Sequence, residues 1–137
     1  MVRVGIDLGD SRIGIAVSDE LGIVASPHSV LTSAGWNRDI ENIARIVEEV
    51  GAGEVVVGLP VNMDGTHGPR AHKATEFAER LRKSLSVPVL LWDERLSTVQ
   101  ATRAMLEADL SRAKRKKAVD KAAASLILQN YLDYVSR

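Results

Sequence analysis

Four carboxylates stand where a reaction could use them. Asp7 interrupts the apolar run "VGIDLG" between Ile6 and Leu8, Asp93 and Glu94 end the run "VPVLLWDE", and Asp120 opens the last amphipathic stretch, "VDKAAASLILQNYL". Carboxylates gathered without a balancing arginine or lysine for each one repel one another, and an all-oxygen set suits Mg²⁺ or Mn²⁺ as the counter-charge. Two such ions roughly 4 Å apart could activate a water and stabilise the leaving oxygen of a phosphodiester. The chemistry these residue types point to is therefore metal-assisted hydrolysis.

Each acid also has a reading without chemistry. Asp7 could cap the turn at Gly9. Asp93 and Glu94 could be solvated acids at a strand end or partners for Arg95. Asp120, in the first turn of a helix, would favour the macrodipole with no function at all. Asp7, however, lies before the turn, inside the strand, which weakens a capping role. Neighbouring strand residues face opposite ways, so only one of Asp93 and Glu94 points into a shared site. Asp120 shares a helical side with Ala123, Ala124 and Ile127, which are small or apolar.

The elements that must position these acids follow from hydrophobic periodicity. Val2 to Leu8 and Arg12 to Ser18 read as two strands joined by a "GDSR" turn, and Ile23 to Leu31 as a third, with Pro27 requiring an edge position or a bulge. Ile40, Ile43, Ala44, Val47 and Val50 paint one face of a helix from Asn37 to Val50. "EVVVGL" from Glu54 to Leu59 reads as a strand buried on both faces, and the loop "PVNMDGTHGPR" leads to a helix marked by Ala74, Phe77, Ala78, Leu81 and Leu85. A strand from about Val87 to Trp92, a helix from Ser97 or Thr98 to about Ala108, and a helix from about Ala118 to Tyr134 complete the chain. The order β-β-β-α-β-α-β-α-α predicts a five-stranded mixed α/β sheet, three strands antiparallel and then two parallel, flanked by helices. If the first strand is central and the last parallel to it, their carboxyl ends share the edge where open α/β sheets hold ligands.

Composition narrows the setting. A chain of 137 residues fits a single domain, 1–137, able to bury one core. No cysteine is present, which removes disulfides and thiolate zinc sites and makes a reducing cytoplasm the default. No signal peptide or membrane-length apolar run is visible, so a soluble protein is expected. Lys plus Arg and Asp plus Glu both total 18, so global charge does not favour a nucleic-acid partner. Local charge differs: Arg112, Lys114, Arg115, Lys116 and Lys117 crowd the segment "RAKRKK", either a solvated loop or, beside an acid and metal site, a holder of phosphate backbone. His28, His67 and His72 lack metal-ligand spacing, and Trp36 and Trp92 are expected to pack rather than stack on bases.

Four segments, "GIDLGDSRIGIAVSD", "VVVGLPVNMDGTHGPRA", "LLWDERLSTVQA" and "KKAVDKAAASLILQNYL", resemble in order, over nearly the whole chain, the YqgF/RuvX family of ribonuclease H-like nucleases. The resemblance implies a ribonuclease H-like fold with the first strand central, a divalent-metal nuclease site, and a cytoplasmic bacterial protein. Its implied substrate is either the 5′ end of precursor 16S rRNA or a Holliday junction in branched DNA. By position, Asp7, Glu94 and Asp120 match the family's three acids, and Asp93, in the same motif as Glu94, remains a candidate metal ligand with them. Asp10 stands where the family often has Thr or Ser, and it is left outside the catalytic set. Pre-16S rRNA maturation leads the readings; junction cleavage would call for a two-fold dimer rather than a monomer. A non-catalytic nucleic-acid-binding domain is disfavoured by acids at all three positions. An actin-like ATPase, whose first hairpin "GIDLG" also resembles, would need a second such domain.

Overall fold

The computed structural model describes residues 1–96 and 112–136, and of residues 112–121 the backbone only. The expected opening hairpin consists of β1 (Val2–Leu8) and β2 (Arg12–Ser18), with Asp7 paired to Gly14. Its turn closes at Gly9, whose N–H donates to the Arg12 carbonyl at 2.9 Å. A β-carbon at Gly9 would stand 2.7 Å from that same oxygen, so the turn admits no side chain there. β3 (Ala25–Thr32) lies at the edge of the sheet against β2. Pro27 has both an edge position and a bulge: Ile15 pairs with Ser29 but Ala16 with Pro27, so His28 is the extra residue.

Helix α1 (Trp36–Val50) buries Ile40, Ile43 and Val47 of the expected face and Ile46 besides, while Ala44 and Val50 are half-buried. Its start has no side-chain cap. The buried Asp39 carboxylate instead accepts hydrogen bonds from Ser33 Oγ at 2.6 Å and the Ala34 N–H at 2.9 Å, fixing the chain's entry into the helix. Strand β4 (Ala52–Leu59) follows. Helix α2 (Pro69–Ser84) begins inside the segment whose composition reads as loop, because Pro69 at the first helical position has no N–H to leave unsatisfied. Strand β5 (Val89–Asp93) ends in one 3₁₀ turn, Glu94–Leu96.

The last helix, α3 (Arg112–Val135), starts earlier than the expected Ala118. The basic run is therefore helical rather than a loop: lysine, arginine and alanine are good helix formers, and neither glycine nor proline interrupts the span. The helix expected between Ser97 or Thr98 and Ala108 lies outside the described residues.

The sheet order is β3-β2-β1-β4-β5, with β1 central, antiparallel to β2 and parallel to β4, and β4 parallel to β5. Helices α1 and α2 cover one face, where Val4, Ile6, Ile43, Val55, Val57, Phe77 and Leu81 form the larger core. Helix α3 covers the other, with Ala16, Val56, Trp92, Ile127, Leu128 and Leu132. Two glycines let α3 lie close: a β-carbon at Gly5 would stand 2.7 Å from Leu128 Cβ, and one at Gly58 would stand 2.5 Å from Ile127 Cδ1. Both tryptophans pack, Trp36 edge-on to Phe77 at 5.2 Å and Trp92 edge-on to Tyr131 at 5.7 Å.

Candidate active site

Because β1, β4 and β5 run parallel, their carboxyl ends share one edge of the sheet. Along β1, Val4 and Ile6 enter the core under α1 and α2, so Gly5 and Asp7 face α3. Asp7 is only 6% exposed. Glu94, just past the end of β5, is 1% exposed and has its Oε2 3.2 Å from where a β-carbon of Gly58 would lie. Ile6 pairs with Val57, which brings the residues after them, Asp7 and Gly58, side by side on the α3 face. The Glu94 carboxylate thus borders the space a side chain at position 58 would fill, on the same face and at the same edge as Asp7.

Helix α3 runs antiparallel to β1. Tyr131 lies beside Arg3, whose guanidinium carbon is 5.8 Å from the ring centroid, and Leu128 and the Ala124 carbonyl lie against Gly5. One further turn towards the helix start advances about 5.4 Å, close to the two-residue step along the strand from Gly5 to Asp7, and so brings position 120 to the level of Asp7. The side chain of Asp120 lies outside the described residues, as do those of Arg112, Lys114, Arg115, Lys116 and Lys117. The backbone changes the reading of Asp120 nonetheless. The helix begins at Arg112 and has no acid in its first turn, so Asp120 is too deep in it to serve the macrodipole.

Asp93 and Glu94 part company where β5 gives way to the 3₁₀ turn. Asp93 stands on the face of Leu91, away from α3, and the Arg95 guanidinium grips it: Nη2 lies 2.8 Å from Oδ2, Nε lies 3.2 Å from both oxygens, and the Arg95 N–H donates to Oδ1 at 2.9 Å. The Arg95 hydrogen bond, ahead of the opposing effect of burial, holds the Asp93 carboxyl below the ordinary carboxylate range, and the same contact raises the guanidinium. Asp64, in the loop between β4 and α2, also lies low because it accepts from the Thr66 hydroxyl and N–H. The His67 and His72 rings are 6.3 Å apart and exposed on that loop and the start of α2. Among the described residues, no three histidine or acidic side chains gather as a metal-holding group.

Two residues at this edge lie outside the set expected from the sequence. Lys73 extends from α2 until its Nζ is 3.4 Å from the Gly9 carbonyl, bringing an ammonium to the β1–β2 turn. Gly58 makes room for Glu94. A lone glycine inside an apolar strand hints at such close approach, but nothing local names the group that approaches.

Among solved structures, T. thermophilus RuvC in complex with a Holliday junction substrate superposes with a TM-score of 0.61 at 16% identity, covering 98% of this chain and 96% of that one. The fowlpox virus Holliday junction resolvase gives 0.54 at 14% identity over 98% and 99%. The chain therefore has the ribonuclease H-like fold of these resolvases. The profile of the RuvX family, described as Holliday junction resolvase, matches residues 1–134, and the chain belongs to that family. A relative from Halothermothrix orenii, named "Putative pre-16S rRNA nuclease", is 49% identical over 134 residues, covering 98% of this chain and 96% of its own length. A Clostridium botulinum relative of the same name is also 49% identical, over 98% of both chains. Among the described residues, no helix is long and apolar enough to cross a membrane.

Proposed function

We propose that this protein is a divalent-metal-dependent nuclease that hydrolyses phosphodiester bonds of precursor 16S rRNA in the bacterial cytoplasm, with Asp7, Glu94 and Asp120 as its catalytic acids. One observation carries the reading: two buried carboxylates 87 residues apart in the chain, Asp7 at 6% and Glu94 at 1% exposure, share one face and one edge of the sheet. The names of relatives 49% identical support the substrate.

The donor set fits the implied metal. Buried carboxylate oxygens are hard ligands suited to Mg²⁺ or Mn²⁺, and taking such acids out of water is costly without a compensating positive charge. An ion bound there supplies an activated water and charge for the leaving oxygen. The chain's own contribution is placement. The central strand fixes Asp7, the 3₁₀ turn fixes Glu94, and α3 carries Asp120 to their level. The basic residues Arg112, Lys114, Arg115, Lys116 and Lys117, on the first turns of that helix, hold backbone phosphates on either side of the cut.

The test compares cleavage of a precursor 16S rRNA fragment with cleavage of a synthetic four-way DNA junction, each with Mg²⁺ or Mn²⁺. We expect metal-dependent RNA cleavage, with a loss of at least about 100-fold in kcat for Asp7→Asn and for Glu94→Gln. Preference for the junction would replace the RNA reading with resolution of branched DNA. Unchanged cleavage by both variants would remove the catalytic assignment.

A further inference from the structure

Resting on the nuclease reading above, we propose that Asp93 and Arg95 form a positioning clamp that aims the Glu94 carboxylate, and that Asp93 is not itself a metal ligand. The Arg95 N–H donates to Asp93 Oδ1 at 2.9 Å, a bond that spans Glu94 and so restrains its backbone dihedrals. The Arg95 side chain then folds back and places Nη2 2.8 Å from Asp93 Oδ2, closing a second ring around the same residue. With both Asp93 oxygens engaged on the face away from α3, Glu94 between them must turn the other way, where Gly58 leaves it space and where it is 1% exposed.

The clamp is also tied to the neighbouring loop. A β-carbon at Gly65 would lie 3.5 Å from Arg95 Nη1, and the Asp64 carboxylate adds attraction to the same guanidinium. The end of β5 is thereby braced against the β4–α2 loop. Only a planar fork with two parallel N–H groups makes this grip, so lysine is a poor substitute.

Because an arginine cannot ligate a metal, Arg95 separates positioning from ligation. Mn²⁺ affinity would be measured by titration calorimetry, and kcat and KM on the precursor rRNA fragment, for the wild type, Asp93→Asn, Arg95→Gln and the double variant. Thermal melts would verify that each is folded. The clamp predicts that both single variants weaken Mn²⁺ binding and lower kcat by about 10-fold or more, as loss of outer-shell support does, with KM for RNA unchanged. It also predicts that the double variant is no worse than either single one. Weakened Mn²⁺ binding in Asp93→Asn with normal binding in Arg95→Gln would make Asp93 a ligand and overturn the proposal. So would wild-type behaviour in all three variants. A wild type that neither binds Mn²⁺ nor cleaves RNA would instead remove the nuclease reading, and the clamp with it.

Discussion

Asp7 and Glu94 are costly residues for a core. A buried carboxylate loses its hydration, and a structure keeps one only where something else compensates. At the residue scale the pair is made possible by what is missing at Gly58, because a side chain there would collide with Ile127 and crowd Glu94 Oε2 at 3.2 Å. Gly58→Ala is therefore expected to cost about 1–3 kcal/mol by overpacking, measured by denaturant unfolding, and to lower nuclease activity further by displacing Glu94. Gly5→Ala, which meets Leu128 Cβ at 2.7 Å on the same face but not Glu94, should destabilise comparably with a smaller effect on kcat. Of the acids, Asp7 was legible in the sequence as a charge inside an apolar strand. Which of Asp93 and Glu94 enters the site was not legible from alternation alone, because alternation says that one does without saying which.

At the element scale, α3 is the component that both closes the core and carries function. Its far end is anchored by Tyr131, whose hydroxyl donates to Glu54 Oε1 at 2.8 Å while Arg3 Nε donates to the same oxygen at 2.9 Å. Burial first, and the Glu54 bond second, push the Tyr131 hydroxyl from 10.0 up to about 12. With the native value above the unfolded one, the stabilisation is complete below pH 10 and fades as pH rises towards 12, where the unfolded chain has released a proton that the native chain retains. Tyr131→Phe should be less stable at neutral pH, yet lose less stability between pH 10 and pH 12, as read by denaturant melts across that range. The other end of α3 carries the basic run. Changing Lys116 and Lys117 to Gln should weaken RNA binding and flatten the dependence of log affinity on log salt by about 0.7 per lost contact with a single strand, with KM rising more than kcat falls.

At the scale of the whole molecule, the site spans nearly the full length of the chain, so ligand and fold are linked. Mn²⁺ at 100 times its dissociation constant should stabilise the native state by about 2.7 kcal/mol, seen as a raised melting midpoint, and Asp7→Asn should abolish that shift. Without coordinates, the chain already carries the order of the described strands and helices, the edge strand with its proline bulge, and much of the buried faces of α1 and α2. All of these depend on residue type and local period. A dense basic run resembles a solvated loop locally, yet its helix-forming residues propagate the helix back to Arg112. That Asp93 turns to Arg95 while Glu94 settles against Gly58, on the face and edge of Asp7, is set by the assembled fold. That division depends on sheet order, on register and on space left by residues distant in the chain, and no local pattern encodes these.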